Sequence, residues 1–140
     1  MAERVLIDTG PLVALFSADD QHHERCRDTL NGLIPPLLTC WPVVTEVAWL
    51  LRTRPDALHK LFQGFRGGLF ALLLLDAEDL PAIAALMRRY ESAGLQFADA
   101  ILAHLAEREQ IHTIFTTDRR DFSVIRLKRN RTLRLIPDIP

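Results

Sequence analysis

Four carboxylates are set apart by their places in the chain. Asp8 closes the apolar run Val5-Leu6-Ile7, Glu46 interrupts an apolar helical stretch, Asp99 lies early in an amphipathic segment, and Asp118 follows Phe115-Thr116-Thr117. If these acids converge, each like-charged pair at ~4 Å and an effective dielectric of 20 costs about 4 kcal/mol. A domain with a net stability of about 5 to 15 kcal/mol cannot carry several such pairs uncompensated. The relief is either protonation of some acids or a divalent cation among them. A set of oxygen ligands without Cys or His favours Mg²⁺ or Mn²⁺ over zinc. Such a cation lowers the pKa of a bound water and neutralises charge on a phosphodiester under attack, so the chemistry to look for is phosphodiester hydrolysis.

The elements that must position these acids alternate between strand and helix. Residues 4–8, 37–40, 69–75, 111–117 and 132–136 are short, apolar and rich in β-branched residues or leucine, as strands buried on both faces are. Between them, Pro11 opens a short helix with Leu12, Val13, Leu15 and Phe16, and a helix over 22–30 ends near Asn31-Gly32. Trp41-Pro42 opens a helix to about residue 51, and Pro55 opens another that stops at Gly67-Gly68. Further helices run over about 80–92 and 95–109. About five strands with helical connections imply a mostly parallel sheet in a three-layer α/β/α sandwich, spanning residues 1–140 as one domain. In such sheets ligands gather beyond the carboxyl ends of the strands, where Asp8 and Asp118 fall.

Two of the four acids also have a plainer reading. The helical neighbours of Glu46 at three and four residues are Val43 and Leu50, so its carboxylate leaves an apolar stripe; either it has a cation, for which Arg52 or Arg54 would serve as well as a metal, or it lies at the stripe's edge in water. For Asp99 it is a first-turn acid favoured by the helix dipole, but that reading needs it exposed, whereas its company of Phe97, Ala98, Ala100, Ile101, Leu102 and Ala103 suggests a crevice wall. Asp76, at the end of the third strand, is read as a cap together with Glu78 and Asp79 and is left out of the site. His22, His23 and Cys26 lack a fourth zinc ligand and are read as a solvated helix face. Phe16, Trp49, Phe62 and Phe65 are assigned singly to the core, with a partner surface as the other option.

Composition bounds the function. Hydrophobic residues make up 49% of the 140 and charged ones 25%, which suits a folded domain with its own core. Two cysteines, Cys26 and Cys40, are too few for a disulfide framework, although one bridge is conceivable; a reducing compartment and thus the cytoplasm is expected. Met1-Ala2-Glu3-Arg4 leads straight into a strand, which predicts no leader. The formal charge of −1 hides an uneven distribution: Arg119, Arg120, Arg126, Lys128, Arg129, Arg131 and Arg134 crowd the last quarter. That crowd reads either as an approach surface for a polyanion such as RNA, or as a solvated basic face or a surface for an acidic tail.

The combination Val5-Leu6-Ile7-Asp8-Thr9-Gly10, Thr45-Glu46-Val47, Phe97-Ala98-Asp99-Ala100 and Phe115-Thr116-Thr117-Asp118-Arg119-Arg120-Asp121-Phe122 resembles a PIN domain over essentially the whole chain, in the length range of VapC-type toxins. The resemblance implies an Mg²⁺- or Mn²⁺-dependent endoribonuclease, the homodimer frequent in the family, and an antitoxin partner that blocks the site. It matches Asp8, Glu46, Asp99 and Asp118 to the catalytic, metal-binding acids, with Thr117 and Asp121 beside them in support. A non-catalytic PIN-like module that binds RNA or protein is the alternative. A receiver domain would want a Lys at a later strand end, but Lys60 and Lys128 are the two lysines and neither is so placed; a haloacid-dehalogenase phosphatase would want an acid where Gly10 stands.

Overall fold

A computed structural model describes residues 3–138, so Met1 and Ala2, on which the expectation of no leader rests, lie outside it. The five expected strands are present as β1 (Val5–Ile7), β2 (Leu37–Thr39), β3 (Phe70–Leu72), β4 (Thr113–Phe115) and β5 (Arg134–Ile136). They form one sheet in the order β3-β2-β1-β4-β5, and every pairing is parallel. The helices are α1 (Thr9–Phe16), α2 (His23–Asn31), α3 (Trp41–Leu50), α4 (Pro55–Arg66), α5 (Leu80–Arg89), α6 (Phe97–Glu109) and α7 (Arg119–Ser123).

The strand order dictates where a crevice opens. From β1 the chain winds outward through β2 to β3, with α1 to α4 as the connections, then returns across the sheet through α5 and α6 to β4 and winds the other way to β5. Right-handed crossovers put connections that wind in opposite directions on opposite faces. In keeping with this, α1 touches α2, α3 and α4, whereas α6 touches α5 and α7. Adjacent β1 and β4 therefore lead into connections that diverge to the two faces, and a crevice is left above their carboxyl ends. Leu6, Ile7, Ile114 and Phe115 are wholly buried beneath it.

The sequence and the structure differ at several places, among them Cys26, expected on a solvated helix face but buried. The expected 69–75 strand pairs only over Phe70–Leu72, and Leu74 is 70% exposed. The cause is topological, because β3 is an edge strand and nothing pairs with its outer flank. Trp49 and Phe62 stand out in solvent while Phe16 and Phe65 pack against the core. Asp121-Phe122, expected in a turn, is carried on α7. Asp76 caps as expected, accepting from Glu78 N at 2.8 Å, and both cysteines are buried and free.

One glycine marks how tightly the edge is built. Phe70 of β3 lies under α4, its ring 5.4 Å from that of Phe65, and a Cβ placed on Gly64 would come within 2.8 Å of it. Gly64→Ala should therefore destabilise the protein by about 1 to 2 kcal/mol by overfilling, despite alanine's better helix propensity. Urea unfolding of Gly64→Ala checks this, and placing it on Phe70→Leu should remove most of the penalty.

Candidate metal centre

Asp8 is the residue around which the site is built. It leaves β1 in extended conformation and caps α1, its Oδ1 accepting from Thr9 N at 2.7 Å. Its other oxygen accepts from Thr116 Oγ1 at 2.9 Å. Thr116 is wholly buried at the end of β4, and its hydroxyl in turn accepts from Asp118 N at 3.0 Å. One threonine thus ties the carboxylate that ends β1 to the backbone that carries the second acid after β4. The first turn of α1 also presses on this exit: a Cβ on Gly10 would lie 2.1 Å from Thr117 Oγ1, so a larger residue there would have to displace that hydroxyl.

The other acids come in from helices on both sides. Glu46 is exposed on α3 and accepts from Thr9 Oγ1 at 3.2 Å. The apolar stripe is thus rotated from its expected position, Leu51 being buried and Leu50 half exposed at the cleft, and no burial penalty arises for Glu46. Neither arginine holds it: Arg54 is bidentate to Asp19 at 2.7 and 2.8 Å, and Arg52 stacks over Trp49. Asp99, half buried in the first turn of α6, accepts from Gln96 N at 3.3 Å, so it is both a cap and part of the cleft wall. Asp121 reaches the same cleft from α7, close to Asp118 and Asp99.

All five carboxylates line one cleft of 610 Å³, together with Thr9, Gly10, Thr117 and a neutral wall that includes Thr45, Gln96 and Phe97. Burial first, then the charges of Glu46 and Asp118, pushes Asp8 up to about 6, against its two hydrogen bonds. Burial, then the charges of Asp8, Asp121 and Asp118, pushes Asp99 up to about 7. Asp121 is raised too, by burial and then by Asp118. Among the described residues no cation forms an ion pair with any of the five. Equally, no three Asp, Glu, His or Cys side chains among the described residues close on a common point as they stand.

The basic residues do not share one surface. Arg120 is exposed beside the cleft acid Asp121. Arg119 donates to Leu135 O and Pro137 O at 3.1 and 3.0 Å, anchoring α7 to β5, and Arg131 is engaged by His112 and by Glu107. Arg126, Lys128 and exposed Arg129 lie in the segment after α7 and do not line the cleft. His23 Nδ1 lies 2.6 Å from Ala14 O, a structural role rather than a ligand's. Sequence reasoning passed over Thr9, Gly10 and Thr116. The signal for Thr116 was a hydroxyl at the last buried position of a strand, where a partner is required.

The raised acids set a pH dependence. Because Asp8 and Asp99 hold protons more tightly when folded than when unfolded, their contribution is fully present below about pH 4 and is lost as pH rises through 6 to 7. For Asp8 the shift from 3.8 to about 6 corresponds to about 3 kcal/mol in full, of which about 1 kcal/mol falls between pH 5 and 8. The melting temperature in EDTA should accordingly fall from pH 5 to pH 8, and Asp99→Asn should flatten the decline. An unchanged slope in Asp99→Asn would contradict the charge crowding.

Three comparisons bear on this arrangement. The family model for the PIN domain matches residues 5–128. The chain is 31% identical over 124 residues to Ribonuclease VapC26 of Mycobacterium tuberculosis, covering 87% of this chain and 92% of that protein. Among solved structures it resembles Mycobacterium tuberculosis VapC20, described as a sarcin-ricin loop cleaving toxin, with TM-score 0.74 and 19% identity over 82% of this chain and 90% of that one. It also resembles PAE2754 from Pyrobaculum aerophilum, with TM-score 0.53 and 21% identity over 87% and 86% of the two chains. The two structures speak for the fold alone, but the family match runs from β1 to past α7 and takes in every acid of the cleft: the chain belongs to the PIN domain family.

Proposed function

We propose that this protein is a divalent-metal-dependent endoribonuclease that hydrolyses RNA phosphodiester bonds as the toxin of a toxin–antitoxin pair. The observation that carries this reading is the gathering of five carboxylates, without a paired cation, in an open cleft at the sheet's switch point. Similarity to a protein named as a VapC ribonuclease supports RNA as the substrate class. The donor set is all oxygen, which fits Mg²⁺ or Mn²⁺. Asp8, Asp99 and Asp118 are the ligands, and Glu46 either joins them or holds a water.

When bound, the cation supplies an acidified water and neutralises charge on the phosphate and the leaving oxygen. The chain supplies the rest. Thr9 and Thr116 fix both oxygens of Asp8, so that this ligand does not reorganise as substrate enters. Glu46, exposed and hydrogen-bonded through a single oxygen, is free to take a proton from the attacking water on the other. Asp121 supports Asp118 and Asp99, Thr117 lines the floor, and Arg120 meets the incoming phosphates.

Two exposed apolar patches suit the remaining partners, since clustered apolar surface marks interfaces. Trp41, Leu74, Leu80 and Phe97, which line one hollow, offer the homodimer face, and the exposed pair Trp49-Leu50, of which Leu50 lines the cleft, offers a seat for an antitoxin. Two buried free thiols suit the cytoplasm, and no helix among the described residues is long and apolar enough to cross a membrane.

Cleavage of RNA by the purified protein in Mg²⁺, abolished by EDTA and reduced at least about 100-fold in Asp8→Asn, is the expected result. Equal cleavage by Asp8→Asn would mean a contaminant or a different site. Binding without turnover by the parent protein would favour the non-catalytic module. Independently, Mn²⁺ at about 100 times its dissociation constant should stabilise the parent by about 2.7 kcal/mol in thermal melts, and Asp99→Asn much less.

A further inference from the structure

A second cavity, remote from the acids, lies where α5 and α6 meet the segment after α7. Its floor is made of apolar side chains, buried Ala103 and Leu127 with half-buried Leu86; exposed Ala82 and Ala85 stand at its edge, and its volume is 260 Å³. Around the rim stand Arg89, Arg126 and Lys128, none of which is ion-paired to a carboxylate among the described residues. The acidic residue on the rim, Glu107, is already engaged, pairing with Arg131 at 3.5 Å and accepting from Lys128 N at 3.0 Å. His104 Nε2 is likewise taken by Asp79 at 2.7 Å.

This rim is held in place. Tyr90 Oη accepts from Arg126 N at 2.8 Å and so ties the end of α5 to the chain beyond α7. The Arg126 guanidinium donates to Ser123 O and Ile125 O at 2.9 and 3.1 Å through Nη1, which fixes the group and leaves its other donors uncommitted. A helix C-terminus welcomes a cation such as Arg89 on its own account, but that accounts for neither Arg126 nor Lys128. An immobilised arginine such as Arg126 presents a planar fork suited to phosphate oxygens, with little ordering cost left on binding.

Location says which polyanion. Residues 104 to 107 of α6 lie five to eight residues beyond Asp99 on the same helix, about 8 to 12 Å along its axis. A strand that has its scissile phosphate among the acids and follows α6 toward its C-terminus would bring its flanking phosphates to this rim. We infer that the cationic pocket between α5, α6 and the segment after α7 is an auxiliary RNA-binding site, which holds backbone phosphates a few nucleotides from the scissile one while its apolar floor receives a ribose or base edge. This rests on the ribonuclease reading for its substrate class. It adds that affinity for longer RNA is set outside the cleft.

The test is RNA binding by fluorescence anisotropy in the Asp8→Asn background, which needs no turnover. Arg89→Gln with Lys128→Gln should weaken binding of a 20-nucleotide RNA about tenfold and lower the slope of log K against log salt by about 1.4, the value for two lost phosphate contacts on a single strand. Affinity for a 4-nucleotide RNA should stay within about twofold. An unchanged 20-nucleotide affinity, or equal weakening for both lengths, overturns the inference. So does loss of poly-glutamate binding with RNA binding intact, which would assign the pocket to an acidic protein segment. Failure of the parent protein to cleave RNA, by contrast, counts against the nuclease reading and is read in a separate assay.

Discussion

Like charges held together above the sheet are the constraint on which the site depends. Five carboxylates share one cleft, and two of them, Asp8 and Asp99, are pushed well above the ordinary carboxylate range, burial leading in each case. Without a cation such a group is tolerated by retaining protons, at a cost to stability that grows with pH. With one, the same repulsion becomes binding energy. Either way, the rest of the molecule has to hold the acids against their tendency to separate.

The means of holding them are local and rigid. A single buried hydroxyl, Thr116, bridges Asp8 and the backbone of Asp118 across the β1/β4 boundary, and Gly10 lets α1 start directly against the strand exit. Diverging connections at that boundary open the crevice, and helices α3, α6 and α7 bring Glu46, Asp99 and Asp121 to its walls. The apolar strands beneath carry no chemistry, but their complete burial gives the site a floor that does not yield.

How much of this could be read from the residues depended on whether local pattern or tertiary placement decides. That Asp8 and Asp118 lie at one rim was legible because each closely follows an apolar strand of a sheet whose strands run the same way, and the fold class followed from strand–helix alternation. Asp76 was legible as a cap because Asp79 follows at the right distance. Exposure was not legible: the rotation that frees Glu46 and Leu50 is fixed by the contact of α3 with α1, and Leu74 is exposed because β3 happens to be the sheet edge. The basic residues near the end of the sequence looked like one surface, yet the fold spends Arg119 and Arg131 on internal contacts, brings Arg120 to the cleft and gathers Arg126 and Lys128 around a different cavity.

Calorimetric titration of the metal-free protein with Mn²⁺ near pH 6.5, repeated in buffers of different ionisation enthalpy, tests the charge-crowding account most directly. Raised carboxylates must shed protons as the ion enters, so the heat should vary with the buffer and give release of about one proton per ion bound. Binding whose heat is the same in every buffer, or no binding at all, would contradict it.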